Sequence, residues 1–178
     1  FLREMIESVQ RQTYSNWELC IADGSVSDQV MQVIQAYAQA DKRIIAKKLT
    51  ENKGIADNTN AAIAIASGEY IALLDHDDLL APDALFEVVR CVNDNEKADV
   101  IYSDEDKISA DSAKRFEPHF KTDFNIELLR SNNYICHLFV VKRLIVEEIG
   151  GFRNDFDGAQ DYDLILRCIE KAVSYTHL

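Results

Sequence analysis

Short apolar runs alternate with amphipathic stretches along the first half of the chain. One apolar run spans 70–74 and ends at the acidic sequence 75–78. Because this run has no polar face, it predicts a strand that is buried on both sides of a sheet. Between such runs, apolar residues recur at the three- and four-residue spacing of a helix, as over 30–37. The alternation predicts an α/β fold with a mostly parallel sheet covered by helices.

The apolar runs and the turn residues between them place the individual elements. Strands are predicted over 17–22, 44–46, 70–74, 99–103 and 135–141. Helices are predicted over 2–9, 30–37, 55–66, 85–92, around 128–129, and over 144–149 and 161–171. The polar stretch 102–121 is predicted to be a long loop, and loops of such length in a compact domain are usually functional or mobile.

The domain is expected to be truncated at both ends of this chain. The helical spacing over 2–9 has no capping residue ahead of it, so the chain is expected to begin inside an amphipathic helix. The last residues, 173–178, continue neither the preceding helical pattern nor a clear strand. They are interpreted as a truncation point or a foreign tail.

Length and charge limit the classes of protein to consider. A chain of 178 residues with 47% hydrophobic content can form one domain with a substantial core. The formal charge of −12 argues against a nucleic-acid surface and a polybasic membrane anchor, because lysine and arginine provide both. No apolar run approaches the roughly 20 residues that cross a bilayer, and no signal peptide opens the sequence.

The four cysteines are scattered through apolar surroundings and lack the C-x-x-C spacing of metal sites. Free buried thiols in a reducing cytoplasm are the expected state. The residues concerned are Cys20, Cys91, Cys136 and Cys168.

Carboxylates that follow a buried strand are costly, because they repel one another unless a cation lies among them. Asp75 and Asp77, separated by His76, form a D-x-D pair and are therefore candidate ligands of a hard metal ion. The alternative is an acidic turn in which Asp78 or another aspartate caps the following helix. Acidic turns of this kind are common, so the D-x-D pair alone leaves both interpretations open.

Polar residues also follow other predicted strands. Asp23 follows the first strand, the loop 52–54 comes after the second, and Ser103 ends the fourth. Parallel α/β sheets bind their ligands at the carboxyl ends of the strands. These residues, together with 75–78, are therefore expected to line one crevice that binds a polar ligand.

Two features of the second half of the chain have structural explanations as well as functional ones. The pair Gly150-Gly151 fits a helix C-cap or a backbone that must approach a ligand closely. Asp161 opens a predicted helix, so its charge either interacts with the helix dipole or serves a site. His119 and His137 are expected to be packed or solvated rather than ligating.

Several motifs occur in an order that matches one enzyme family. Together they resemble glycosyltransferase family 2, whose members are inverting, metal-dependent enzymes of the Rossmann-like GT-A fold that use nucleotide-sugar donors. The resemblance spans nearly the whole chain. The motifs are Glu7-Ser8-Val9 with Gln12-Thr13-Tyr14, Asp23-Gly24-Ser25, Asn52-x-Gly54 with Asn60, the stretch 68–78, Gly150-Gly151-Phe152 and Gln160-Asp161-Tyr162-Asp163-Leu164.

The resemblance implies roles for residues on the donor side. Asp23 matches the acid that contacts the nucleotide base, and the loop Asn52-Lys53-Gly54 is implied to lie near the base and the ribose. Asp75 and Asp77 match the D-x-D pair, which is implied to bind Mg²⁺ or Mn²⁺. Asp77 is expected to hold the ion on the donor diphosphate, while Asp75 also belongs to the nucleotide-sugar site.

Other residues are implied to serve the acceptor. Asp161 matches the general base that takes the proton of the acceptor hydroxyl. Gly150 and Gly151 match the loop on the acceptor side, and Gln160 precedes the base in the same motif.

The resemblance implies a single catalytic domain over 1–178. Its nucleotide-binding part is expected over about 1–103 and its acceptor-binding part over about 104–172. The family has an additional strand before the first helix, so the domain is expected to be truncated there as well as at its carboxyl end. The stretch 102–107 resembles the branch of the family that builds bacterial surface polysaccharides.

The expected partners are a nucleotide-sugar donor and a glycan or lipid-linked glycan acceptor, with no nucleic acid. The expected location is the cytoplasm, and the resemblance allows peripheral association of the full-length protein with the inner face of the membrane. Two alternatives stay open. One is a nucleotidyltransferase of similar fold, and the other is a non-catalytic module that binds calcium or carbohydrate through the same carboxylates.

Overall fold

The computed structural model describes residues 1–94, 98–110 and 114–178, in which helices and strands alternate as predicted. The helices are α1 (Leu2–Gln10), α2 (Asp28–Ala40), α3 (Ile55–Ile63), α4 (Ala84–Asp94), α5 (Ile126–Ser131), α6 (Arg143–Glu148) and α7 (Gln160–Lys171). The strands are β1 (Leu19–Asp23), β2 (Ile44–Lys48), β3 (Tyr70–Leu73), β4 (Val100–Tyr102), β5 (Glu105–Ile108), β6 (Arg115–His119), β7 (Phe139–Lys142) and β8 (Tyr175–His177). None of these described helices combines the length and the apolar character needed to span a membrane.

Two sheets position the candidate site residues. β1 and β2 form a parallel pair in which Leu19 lies opposite Ile44 and Asp23 lies opposite Lys48. The larger sheet has the strand order β3-β7-β4-β8, and β7 is antiparallel to both β3 and β4. β8 is parallel to β4, so three of the four strands run in one direction.

The antiparallel direction of β7 follows from the path of the chain. After β4 the chain passes through the β5–β6 hairpin and α5, and it returns to the edge of the sheet where β3 and β4 end. A strand that starts at this edge runs opposite to its neighbours. Phe139, the first residue of β7, therefore pairs with Leu73 at the end of β3 and with Tyr102 at the end of β4.

Apolar side chains cover both faces of the larger sheet. On one face, fully buried residues such as Phe139 and Leu164 pack the sheet against α6 and α7. On the other face, Ile101 and Val140 share a core with Val88 of α4. A separate cluster packs α1 against the β1–β2 pair, as its helical spacing predicted. The carboxyl ends of the strands are left as the edge where polar side chains gather.

The prediction of a long loop over 102–121 was wrong, because β5 and β6 form a hairpin there. The stretch is polar on both faces, so no apolar alternation marked its strands. Charged side chains pair across the hairpin instead. Arg115 and Asp106 lie 2.7 Å apart, and Lys107 pairs with Glu117. The part of that prediction that covered 111–113 lies outside the described residues.

The prediction of no clear strand over 173–178 was also wrong. Tyr175–His177 forms β8, in which Thr176 pairs with Ile101 of β4. The ring of His177 also stacks on Tyr102, with 5.2 Å between the ring centroids. A strand of three residues is too short to show a reliable periodic pattern in sequence. The interpretation of this stretch as a foreign tail stays a prediction.

The turn after α6 requires glycine for two reasons. Gly150 and Gly151 have φ values of 79° and 70°, which lie in the left-handed region that glycine favours. A Cβ added at Gly151 would overlap Oδ1 of Asn60, whereas a Cβ added at Gly150 would meet no atom within 4 Å. Asn60 accepts from Phe152 N at 2.8 Å and donates to Phe152 O at 2.9 Å. The side chain of Asn60 therefore ties α3 to this turn.

We expect Gly151→Ala to lower the free energy of unfolding by about 2–4 kcal/mol, since it adds backbone strain and displaces the hydrogen bonds of Asn60. Gly150→Ala is the matched control, because it adds the same strain without a clash and should cost only about 1–2 kcal/mol. Denaturant unfolding of both variants measures the difference. Equal losses would contradict the proposed contact between Gly151 and Asn60.

Candidate active site

The acidic sequence 75–78 forms a tight turn at the carboxyl end of β3. The backbone N–H of Asp78 donates to the carbonyl oxygen of Asp75 at 3.2 Å. A turn of this type brings its first and fourth residues together. The side chains of His76 and Asp77, between them, are 77% and 57% exposed. The turn therefore brings Asp75 and Asp78 together and leaves Asp77 apart from them.

A third side chain with ligand character comes from the residue two positions before β7. Asp75, Asp78 and His137 each offer one ligand atom, and these atoms all lie within 4.8 Å of one another. Nε2 of His137 is 3.6 Å from Oδ2 of Asp75. The strand register explains this meeting. Because Phe139 pairs with Leu73 in an antiparallel ladder, residue 137 falls opposite residue 75.

The electrostatics of this cluster favour a positive charge beside the acidic turn. Hydrogen bonding to the Cys136 side chain is the largest cause that raises the pKa of His137 to about 9; burial opposes the shift, and the carboxylates of Asp75 and Asp78 add to it. Burial also raises the pKa of Asp78, while His137 opposes that shift. A protonated imidazole thus offsets the carboxylates, and a metal ion that used this nitrogen would displace its proton.

The structure gathers a different set of candidate ligands from the D-x-D pair that the sequence predicted, and the role of that pair stays a prediction. Asp77 lies outside the cluster of the described residues, whereas Asp78, considered earlier only as a helix cap, belongs to it. His137, expected to be packed or solvated rather than ligating, lies within this cluster, and a ligand role for it stays a proposal. No local signal marked His137, because its position depends on the register between β3 and β7.

Asp161 lies in the first turn of α7 and lines a small cavity together with two members of this cluster. The cavity has a volume of about 80 Å³ and is lined in part by Asp75, His137, Gln160 and Asp161. Burial raises the pKa of Asp161 and the Asp75 carboxylate raises it further, although His137 opposes the shift. Nε2 of Gln160 donates to Oδ2 of Asp161 at 3.4 Å. A carboxylate with a raised pKa in a cavity is suited to accept a proton.

The next acid along α7 has a structural role that the sequence did not reveal. Asp163 is buried, and its carboxylate accepts from Nε of Arg153 at 3.1 Å and from Nε of Arg167 at 2.9 Å. Arg167 also donates to the carbonyl oxygens of Ile149 and Gly151 at 3.0 and 2.7 Å. The ion pair of Asp163 and Arg167 therefore fixes α7 to the turn of Gly150 and Gly151. Residues two apart on a helix point about 200° from each other, which separates Asp163 from the cavity.

Asp23 is buried at the end of β1. Its Oδ1 accepts from the backbone N–H and the hydroxyl of Ser25 at 2.9 and 2.5 Å, and its Oδ2 accepts from Nζ of Lys48 at 2.9 Å. Burial would raise the pKa of Asp23, but the hydrogen bonds from Ser25 and Lys48 outweigh it and lower that pKa. Lys48 was not predicted as a site residue. It faces Asp23 because the two pair in the β1–β2 register.

The predicted nucleotide loop, 52–54, leads into α3. Oδ1 of Asn52 accepts from Gly54 N at 3.1 Å and from Nδ2 of Asn58 at 2.8 Å, so Asn52 shapes the loop. Gly54 has a φ of 96°, and a Cβ added there would lie 2.7 Å from Oδ2 of Asp157. This close approach brings the loop 52–54 to the segment that precedes Asp161.

The remaining predicted residues are explained by surface or cap positions. Lys53 is exposed, and its ammonium group pairs with Glu51 at 3.0 Å. The N–H groups of Gly150 and Gly151 donate to carbonyl oxygens of α6 at 3.2 and 2.9 Å. The C-cap explanation thus accounts for both glycines. A role for them in binding the acceptor stays a prediction.

A larger cleft, of about 650 Å³, lies beside the same cluster. Asp77 and Asp78 contribute to its lining from the acidic turn, and Phe116 and Phe120 contribute from the hairpin segment. His137 lines both this cleft and the small cavity. Space for a ligand is therefore available on more than one side of the cluster.

Residues 1–150 match the family model described as Glycosyl transferase family 2. This chain belongs to that family. The resemblance inferred from its motifs is therefore confirmed, although the family match alone does not assign a role to any single residue.

Relatives and solved structures agree with the family. The O-antigen biosynthesis protein RfbC of Myxococcus xanthus is 35% identical over 179 residues, which cover 100% of this chain and 14% of RfbC. Among structures, S. aureus TarS in complex with UDP-GlcNAc has a TM-score of 0.80 at 17% identity, covering 100% of this chain and 52% of TarS. A mannosyltransferase from Pyrobaculum calidifontis, in complex with GDP-Man and Mn²⁺, has a TM-score of 0.73 at 20% identity over 99% of this chain and 50% of that one.

These likenesses confirm the predicted α/β fold of GT-A type. The first curated relatives that the chain matches, at 50% and 35% identity, are much longer proteins. The chain spans 19% and 14% of their lengths.

The two aspartates of α7 should respond differently to the same substitution. We expect Asp163→Asn to lower the free energy of unfolding by about 1.5–3 kcal/mol, because it weakens charged hydrogen bonds of a buried carboxylate. Asp161→Asn is the matched control and should change stability by less than about 0.5 kcal/mol. Thermal unfolding of both variants provides the measurement. A loss for Asp161→Asn as large as that for Asp163→Asn would mean that Asp161 is also structural.

Proposed function

We propose that the protein is an inverting glycosyltransferase that moves a sugar from a nucleotide-diphosphate sugar to a hydroxyl group of an acceptor. The main support is the single cavity that Asp161 shares with Asp75 and His137. Transfer from such a donor needs one group that stabilises the leaving diphosphate and a separate base for the acceptor hydroxyl. The acidic turn after β3 is suited to the first task, and the carboxylate of Asp161 is suited to the second.

Asp161 is the proposed general base. Its raised pKa makes the carboxylate more basic than an ordinary aspartate, which favours proton transfer from a hydroxyl group. As the acceptor oxygen attacks the anomeric carbon, its proton passes to the carboxylate of Asp161. The bond to the diphosphate breaks, and its electron pair leaves with the phosphate oxygen. A single displacement with the base on the opposite face of the sugar inverts the anomeric configuration.

The donor atoms of Asp75, Asp78 and His137 fit a divalent ion. Carboxylates bind Mg²⁺ and Mn²⁺, and an added imidazole nitrogen is better suited to Mn²⁺. The ligand atoms lie up to 4.8 Å apart. Two atoms on opposite sides of one ion lie about twice a metal–oxygen bond of about 2.1 Å apart, so a small side-chain movement would bring these atoms to bonding distance of one ion. A bound ion would stabilise the negative charge of the leaving diphosphate.

Asp77 is proposed to join the ion when the donor diphosphate is present. Its side chain is 57% exposed at the tip of the turn, so it is free to rotate toward a ligand. The D-x-D resemblance supports this role. The complex of the P. calidifontis mannosyltransferase with GDP-Man and Mn²⁺ supports a divalent ion beside a nucleotide sugar in this fold.

The proposed donor site includes Asp75, Asp23 and the loop 52–54. The UDP-GlcNAc complex of TarS supports a nucleotide sugar as donor. The nucleotide-binding part is proposed to span about 1–103 of a single domain, and the acceptor-binding part about 104–172.

The acceptor side is proposed to include Gln160 and the turn of Gly150 and Gly151. The similarity to RfbC, an O-antigen biosynthesis protein, supports a glycan or lipid-linked glycan as acceptor in the building of a cell-surface polysaccharide. The free state of all four cysteines fits a reducing compartment. We therefore propose a location in the cytoplasm. The proposed acceptor places the protein at the inner face of the membrane.

The function is tested by incubating the full-length protein with a panel of nucleotide sugars, with Mn²⁺ and Mg²⁺ compared. We expect metal-dependent release of a nucleoside diphosphate and a product of inverted anomeric configuration, read by NMR. A carbohydrate- or calcium-binding module would release no nucleoside diphosphate. A nucleotidyltransferase would instead release pyrophosphate from a nucleoside triphosphate. Retained configuration would contradict the single displacement.

The substitution Asp161→Asn tests the proposed base. The amide cannot accept the proton, so transfer should fall by roughly 10²–10⁴-fold while donor binding is preserved. In the wild type, kcat/KM should decrease as the pH falls through the pKa of Asp161, because only the ionised carboxylate acts as a base. Since that pKa is raised, the decrease should occur at a higher pH than for an ordinary aspartate. Near wild-type transfer by the variant would remove Asp161 from this role.

Two further variants separate the proposed ligands of the ion. His137→Ala should weaken the binding of Mn²⁺ alone by about tenfold or more, since it removes one of three ligands. Asp77→Ala should leave the affinity for Mn²⁺ alone within about threefold of the wild type. The same variant should weaken Mn²⁺-dependent binding of the nucleotide sugar by about fivefold or more, which corresponds to about 1 kcal/mol or more. Lys171→Ala, at an exposed residue at the carboxyl end of α7, is the control. Calorimetric titration gives both affinities, and an unchanged Mn²⁺ affinity in His137→Ala would contradict the cluster.

A further inference from the structure

The side chain of Lys121, just after the β5–β6 hairpin, is completely buried. An ammonium group in such a position is costly unless oxygen atoms surround it. Its Nζ donates to the carbonyl oxygen of Ile135 at 2.6 Å and to that of His137, and it lies 3.4 Å from Oε2 of Glu105. The three protons of the ammonium group therefore meet three oxygen atoms. Two of these belong to the segment that leads into β7.

Glu105 binds the same segment from the other side of the peptide. Its Oε2 accepts from the backbone N–H of His137 at 3.3 Å, in addition to its contact with Lys121. The N–H of His137 thus binds one charged side chain, and the C=O of His137 binds the other. Both peptide groups that flank the imidazole are held by the Glu105–Lys121 pair.

These bonds act on a stretch of backbone that belongs to no helix or strand. Residues 132–138 lie between α5 and β7, and Cys136 within them has a φ of 39°. A residue other than glycine rarely adopts this left-handed conformation, and it persists only where surrounding contacts fix it. The Glu105–Lys121 pair supplies such contacts directly beside Cys136.

We propose that Glu105 and Lys121 are positioning residues that hold the backbone of His137 so that its imidazole lies against Asp75 and Asp78. The inference rests on the proposed function, because it assumes that these three side chains bind a divalent ion. Groups that orient a metal ligand typically contribute 10–100-fold to metal affinity. The hairpin segment would then set the affinity of the ion without contacting it.

A purely structural role of Lys121 leads to a different expectation. If Lys121 only stabilised the packing of the hairpin on β7, its removal would lower thermal stability and leave the ion unaffected. If it acts through His137, its effect on the ion must disappear once His137 is absent. A double-mutant cycle measures this dependence.

The test uses the full-length protein, with Mn²⁺ alone as the probe and calorimetric titration as the readout. We expect Lys121→Met to weaken Mn²⁺ binding by about 10–100-fold when His137 is present. In the His137→Ala background the same change should weaken it by less than about twofold. Glu105→Ala should show the same dependence. Because the side chain of Glu105 is 31% exposed, this variant also tests the proposal if Lys121→Met does not fold.

Lys142→Met is the matched control. Lys142 lies at the opposite end of β7 and pairs with Asp99 at 2.8 Å, so its removal should lower the melting temperature and leave Mn²⁺ affinity unchanged. The positioning role is wrong if Lys121→Met and Glu105→Ala weaken Mn²⁺ binding equally in both backgrounds, or no more than Lys142→Met does. If wild type and His137→Ala bind Mn²⁺ equally, the proposed cluster fails, and the positioning role fails with it.

Discussion

The balance of charge at the end of β3 is the constraint on which the candidate site depends. Three carboxylates follow β3, which is only partly buried, and their mutual repulsion favours a positive partner. Antiparallel pairing of Phe139 with Leu73 provides one, because it places His137 opposite Asp75. A protonated imidazole and a metal ion both meet this requirement. The same turn can therefore be stable without an ion and still be ready to bind one.

The sequence predicted those parts of the site that depend on local signals. The apolar run before the acidic turn identified β3, and the start of an amphipathic helix identified the position of Asp161. Contacts between distant segments could not be predicted in this way. His137 meets Asp75 through the register of β3 and β7, and Lys48 meets Asp23 through that of β1 and β2. The hairpin was missed for another reason, since exposed strands lack apolar alternation.

Neighbouring residues of one motif serve different purposes in this fold. Asp161 lines the cavity, whereas Asp163 forms ion pairs that fix α7 to the turn after α6. Gly151 is required by the position of Asn60, whereas Gly150 has open space around it. Helix geometry and turn geometry account for both differences. A motif that identifies the family thus combines residues for chemistry with residues that keep the chemistry in place.

The location of the ion tests the account most directly. A crystal of the full-length protein grown with Mn²⁺ and a nucleoside diphosphate would reveal the ion by its anomalous scattering. The account predicts one peak within bonding distance of Asp75, Asp78 and His137, with Asp161 across the small cavity from it. A peak that contacts neither His137 nor Asp78 would contradict the proposed cluster.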